Sequence, residues 1–174
     1  MNHGDMNSSG SDSMNHDALK PGTRGLDALK ALHGKEFDIA FLSQMIAHHQ
    51  AAVEMAKQAL SNAKRPETKA DAQRVIDAQT QEIKQMTGWL QEWYQTTPSA
   101  DQQSLARDDM KAMMSMPVSD DHMYFDMMTP HHQGAIDMSQ LADERAARPE
   151  VKDLARKIIT AQQAEIQKYQ EMNH

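Results

Sequence analysis

Two His-His pairs, each set among methionines, are the residues of this chain best suited to chemistry. His48 and His49 stand with Met45 and Met55 in the string Met-x-x-His-His-Gln-x-Ala-x-x-Met. The same string returns 83 residues later with Met128, His131, His132 and Met138. Imidazole is a borderline ligand and thioether a soft one, so the set suits Cu(I) or Ag(I) and accepts Cu(II) through imidazole. No cysteine is present, which excludes a disulfide scaffold, a zinc ribbon and thiol catalysis. Thioethers have no proton to lose and form no disulfide, so they keep working in oxidising or acidic surroundings where thiolates fail.

Spacing says what one helix can offer. At about 100° per residue, Met45, His48, His49, Ala52 and Met55 cover roughly one third of a helix circumference. Met45 lies one turn from both histidines, so a thioether and an imidazole of one helix can reach one ion. Met55, two turns from His48, needs help from another helix. The plain alternative is packing: a methionine on a helical stripe is ordinarily core filler, and a lone inward histidine is ordinarily a hydrogen-bonded core residue. Adjacent histidines resist that explanation, because one of the two must leave the centre of the stripe, and both are repeated.

Neighbouring residues modify these sites. Pro130, just before His131, removes a backbone donor and predicts a kink near Asp126–Met127 with a freed carbonyl. Ala47 stands in its place in the first copy. Glu82 and Glu165, with Gln79 and Gln162, fall near inner stripes, where they either orient the histidines as acceptors or reach solvent.

Further soft ligands lie elsewhere. Met110, Met113 and Met114 sit at helical spacing, followed by Met116, His122, Met123, Met127 and Met128. They read as a second copper site, as the lining of an access path, or as an adaptable apolar lid. Met-Asn-His occurs as Met1-Asn2-His3, Met14-Asn15-His16 and Met172-Asn173-His174. With Met1 as a free amino terminus, its amine, two backbone amides and His3 would suit square-planar Cu(II).

The elements that position these residues follow from the repeat. Laying residues 38–91 on 121–174 gives 19 identities without a gap. Leu42, Ile46, His49, Val53, Ala56 and Leu60 form one stripe, predicting a helix over about 35–63. Arg65-Pro66-Glu67, repeated as Arg148-Pro149-Glu150, reads as a stop followed by a start. A second helix is predicted over about 66–95, its inner face marked by Ala72, Ile76, Ile83, Met86, Leu90 and Trp93. The connector, 96–118, opens with the capping box Ser99-Ala100-Asp101-Gln102. Helices over about 119–147 and 149–172 repeat the first pair. Two hairpins, each helix apolar along one stripe, make an all-α four-helix bundle over 26–174, with repeat one at about 35–95 and repeat two at about 119–174. A pseudo-two-fold axis should relate the hairpins.

Composition agrees. The 174 residues fit one domain, charged residues are 25% and aromatics 5%, and the 15 methionines are several times an ordinary complement. A formal charge of −7 argues against a nucleic-acid surface and mildly attracts cations. Residues 1–25, rich in Asn, Ser, Gly, His and Asp, read as a disordered tail. No run is apolar enough for a transmembrane segment, and residues 1–20 hold no signal peptide or lipid anchor pattern, consistent with a trimmed exported form.

The string from Phe41-Leu42 through Met45-Ile46, His48-His49-Gln50, Ala52-Val53 and Met55-Ala56 resembles the signature of domain-of-unknown-function family 305, the CopM-like group. Met127-Met128-Thr129-Pro130-His131-His132-Gln133-Gly134-Ala135-Ile136-Asp137-Met138 is similar to it more closely, through Met-x-Pro-His-His. The resemblance spans about residues 35–174. It implies a ferritin-like four-helix bundle, exported to the periplasm or beyond, with copper binding and copper resistance among some members.

Three classes of function compete. The leading expectation is a non-enzymatic protein that binds copper for sequestration, transport or resistance outside the cytoplasm, exchanging it with an unidentified donor or acceptor. A metal-free helical interaction module using its methionine face is the structural rival. Metal-dependent redox catalysis is the enzymatic one. A di-iron or di-manganese version wants Glu-x-x-His on two helices, whereas the residues three before the repeated histidines are Met45, Ile46, Met128 and Thr129.

Overall fold

The computed structural model describes residues 20–173. Its helices are α1 (Arg24–Lys30), α2 (Gly34–Asn62), α3 (Pro66–Tyr94), α4 (Ala100–Met114), α5 (Asp121–Ser139), α6 (Ala142–Arg145) and α7 (Pro149–Met172). The long helices α2, α3, α5 and α7 form the all-α bundle. α2 pairs with α3, α5 pairs with α7, and the two hairpins meet where α2 lies on α5. The connector helix α4 covers the remaining side of α2, and α1 touches α2, α4 and α5.

That arrangement encloses α2. Every residue from Phe41 to His49 is buried, so the single stripe read from the sequence becomes burial all round in this stretch. The extra coverage comes from α4, and it places Ser43, Gln44, His48 and His49 in the interior. Buried polar groups must find partners. Ser43 Oγ accepts the Ser99 amide at 2.8 Å, and the Gln44 amide donates to the Gly25 carbonyl and to Gln102.

The repeat is visible at the hairpin turns. Pro66 and Pro149 each open a helix, and neither preceding arginine caps it with its side chain. The donors are satisfied across the bundle instead. Asp121 accepts the amides of Lys64 and Arg65 at 2.8 and 3.1 Å, and Asp38 accepts those of Ala147 and Arg148 at 3.0 and 3.2 Å. Asp38 and Asp121 are equivalent in the repeat, so each hairpin fastens the turn of the other.

Two boundaries differ from the sequence reading. The helix expected over about 119–147 ends at Ser139 and resumes as the single turn α6. Ser99 does cap α4, accepting the Gln102 amide at 3.4 Å. Order begins before Leu26: the Gly22 amide donates to the Asp109 carbonyl, and the amides of Arg24 and Gly25 donate to the Asp109 carboxylate. The part of the expected tail that is described is therefore packed. Met1, His3, Met14, His16 and His174 lie outside the described residues.

Candidate metal centre

α2 and α5 carry the four repeated histidines to their contact, and all four are buried. His48 and His131, equivalent in the repeat, stack with ring centroids 3.7 Å apart and planes 25° from parallel. Flanking them are two equivalent imidazole–carboxylate pairs. His49 Nε2 lies 2.7 Å from Glu82 Oε1, and His132 Nε2 is hydrogen-bonded to Glu165 Oε2. The glutamates expected near the inner stripes thus hold the outer pair of histidines.

These contacts fix proton positions. An ionised carboxylate only accepts, so Nε2 of His49 and of His132 carries the hydrogen and, in the neutral ring, Nδ1 keeps its lone pair. Nδ1 of all four histidines, and Nε2 of His131, are buried without a hydrogen-bond partner. Burial, then the charges of His49 and His132, push the His48 imidazole well below its ordinary range. His131 is driven the same way by burial and by the other three imidazoles. Both rings are therefore neutral at pH 7 and able to act as ligands.

The methionines of α2 and α5 fall into two apolar clusters. Met45 and Met138 belong to the core cluster built on Phe37, Phe41, Leu42 and Leu90, together with Met86. Met55 and Met128 belong to the other, with Met113, Met127, Tyr124, Phe125 and Tyr169. Met114, Met116, Met123 and Met172 lie at the margin of this second cluster. The crossing of α2 and α5 thus places each of these methionines in an apolar cluster with one from the other repeat. Met110 is buried with Ala47, Ala51 and Ala106 under α4.

His122 stands apart. It is exposed, its Nδ1 lies 2.7 Å from Asn173 Oδ1, and nine residues separate it from His131, roughly 13 Å of helical rise. Met113, Met114 and Met123 pack around the second cluster, while Met110 lines a different wall of the bundle. Met114 joins the two, since it packs against the Met110 cluster as well. Pro130 lies inside α5, and the helix continues through it to Ser139.

Among the buried polar groups that sequence reasoning missed, Asp71 lies nearest the histidines in its contacts. Asp71 is 2% exposed and accepts both the Tyr124 and Tyr169 hydroxyls at 2.8 Å. The Tyr169 ring meets His132 edge-on, with centroids 5.3 Å apart. Position 71 corresponds to Leu154 in the other repeat, so a break in the duplication was the available signal.

The fold and the centre define a class: a duplicated helical-hairpin bundle with imidazole and thioether donors inside. The chain belongs to the family described as Domain of unknown function (DUF305), whose model matches residues 1–86, 38–121 and 121–174. It is similar to CopM in the Cu(I)-bound form, at 35% identity over 78% of this chain and 94% of that one, TM-score 0.66. Similarity to CopM in an Ag-bound form is 34%, over 78% and 93%, TM-score 0.63. A DUF305 protein of Streptomyces coelicolor, itself inferred to be secreted, is 27% identical over 78% and 90%, TM-score 0.65. No curated protein matches the chain.

Proposed function

We propose that this protein binds copper, Cu(I) in preference, and holds or ferries it outside the cytoplasm without catalysing a reaction. The observation that carries this reading is the set of buried, unpartnered imidazole nitrogens. A buried polar atom without a partner is uncommon in a folded protein, and here the four Nδ1 atoms and His131 Nε2 all belong to the repeated histidines of α2 and α5. Two of the rings are held by Glu82 and Glu165, the arrangement by which carboxylates orient metal-binding histidines. Among the described residues no three His, Asp or Glu side chains converge as an all-imidazole or carboxylate site would require. Thioethers must then complete a ligand set, which favours Cu(I) and Ag(I) over Zn(II) and Fe(II).

Similarity to CopM solved with Cu(I), Cu(II) and Ag supports the choice of metal. Among the described residues no helix is long and apolar enough to cross a membrane, and a relative inferred to be secreted supports a periplasmic or extracellular setting. Isothermal titration with Cu(I) under a competing chelator, beside Fe(II) and Zn(II), tests the reading. Cu(I) should bind most tightly and with more than one ion per chain. Tight Fe(II) binding with oxidase turnover, or no metal binding, would transfer the protein to the enzymatic or the interaction class.

A further inference from the structure

The two stacked histidines are equivalent in the repeat but not in their surroundings. His131 is 1% exposed and neither ring nitrogen has a partner, whereas His48 is 5% exposed and lines a cavity of about 270 Å³. One residue on the cavity wall contributes to the difference. Gly134 of α5 forms part of the wall, and a Cβ there would come within 3.3 Å of His48 Nε2. Its counterpart in the first repeat is Ala51. A glycine inside a helix is unfavourable, and here it leaves open the space beside one imidazole of the pair.

The same cavity is lined by Met110 from α4 and Met138 from α5. Three helices therefore line one open-mouthed cavity with a histidine and two methionines, a combination that helical spacing within one repeat does not produce. The carboxylates of Asp109 and Asp137 also line it beside the single basic residue Lys20, an excess of negative charge suited to a cation. Its remaining wall is the segment 20–26, held by the Asp109 carboxylate through the amides of Arg24 and Gly25 at 3.1 and 2.8 Å. Gly22 and Gly25 allow that approach: added Cβ atoms would lie 2.7 Å from Asp109 and 2.5 Å from Gln44.

We propose that this cavity is a binding site for one soft monovalent cation, with His48, Met110 and Met138 as its ligands. The proposal rests on the copper reading above and assigns one of its ions to a set of residues drawn from both repeats and the connector. A buried imidazole and two methionine side chains suit a soft ion of low charge better than a hard divalent one. The His48 nitrogen beside Gly134 on this wall is Nε2, which is the atom that would meet the ion.

The test uses Ag(I) as a redox-inert probe on the full chain, with methyl-labelled methionine and ring-labelled histidine observed by NMR. The Met110 and Met138 methyl signals should move together with the His48 ring signals in the same titration step. The double variant Met110→Leu/Met138→Leu should lose at least tenfold in Ag(I) affinity at that step while melting as the wild type does. Gly134→Leu, which fills the space without removing a ligand, should abolish the step. If Gly134→Leu does not fold, the double methionine variant still decides. Shifts confined to Met55, Met128 and their neighbours would overturn this site and leave soft-metal binding standing. No shift in any methionine or histidine would overturn both.

Discussion

His48 and His131 stack at the centre of the bundle with centroids 3.7 Å apart, a distance at which two imidazolium charges repel strongly. Burial lowers both, and the neighbouring imidazoles lower them further. The unfolded chain takes up protons as the pH falls through 6.5, the ordinary histidine value, and the folded protein refuses them. Stability is therefore fully present above that value and is lost progressively as the pH falls toward the folded-state values. Denaturant unfolding of the metal-free protein should show a lower midpoint at pH 5.5 than at pH 7.5. His131→Leu should reduce this dependence, and an unaltered dependence would remove the stack as its source.

The paired caps should respond to acid with opposite signs. Burial pushes Asp121 up, but the amides of Lys64 and Arg65 and the Thr68 hydroxyl outweigh it and hold the carboxyl below its ordinary value. Its contribution is present above the unfolded value of 3.8 and is lost as the pH falls through the folded one. Asp38 is raised: burial dominates the Tyr94 hydroxyl and the amides of Ala147 and Arg148. Its ionisation therefore costs stability at neutral pH, and that cost is relieved on acidification toward the unfolded value. Asp121→Asn should cost about 2 kcal/mol at pH 7, typical of hydrogen bonds to a charged group, and less near pH 3. Asp38→Asn should cost less at pH 7. Equal costs in unfolding experiments would contradict the asymmetry.

The hairpin limits were legible because an ungapped repeat carries its punctuation with it: Arg65-Pro66 and Arg148-Pro149 mark both turns. Helical period also placed Glu82 and Glu165 on faces from which they reach His49 and His132. The partners of the methionines were not legible. Whether Met45 groups with Met138 or with Met128 depends on how α2 crosses α5, a contact between residues far apart in sequence. The caps left a trace, since Asp38 and Asp121 are identical in the repeat, but an aspartate at a helix start has many other uses. The packed segment after Lys20 left none, because its composition is that of a tail and its partner, Asp109, is over 80 residues away.

Glu82 and Glu165 should matter to metal affinity more than to folding. Each holds the hydrogen of its histidine on Nε2 and so leaves Nδ1 as the donor atom. Glu82→Ala or Glu165→Ala should weaken Cu(I) binding by about 10- to 100-fold, the usual effect of losing a carboxylate behind a ligating histidine. Chelator competition at pH 7 measures it. Full affinity in both variants would mean that these histidines coordinate through other contacts or not at all.

Met45 and Met128 separate ligand from packing most directly. Both are fully buried, and in the core each fills the space leucine would fill. Replacing them with leucine should cost less than about 1.5 kcal/mol each, as volume-conserving apolar exchanges do. The bundle should therefore remain folded in thermal melts. The substitution removes the sulfur, however, so a thioether role predicts a loss of Cu(I) affinity in the double variant, measured against a competing chelator. Imidazole ligands add a second signature: protons compete for their ring nitrogens, whereas thioethers are indifferent to pH. Because burial keeps His48 and His131 neutral well below 6.5, wild-type affinity should fall only at pH well below that value. The double Met→Leu variant should fall at least as steeply there, since imidazoles then carry more of the ligand set. Undiminished affinity in a folded variant would assign these two methionines to the core and leave the metal to the histidines and the remaining thioethers.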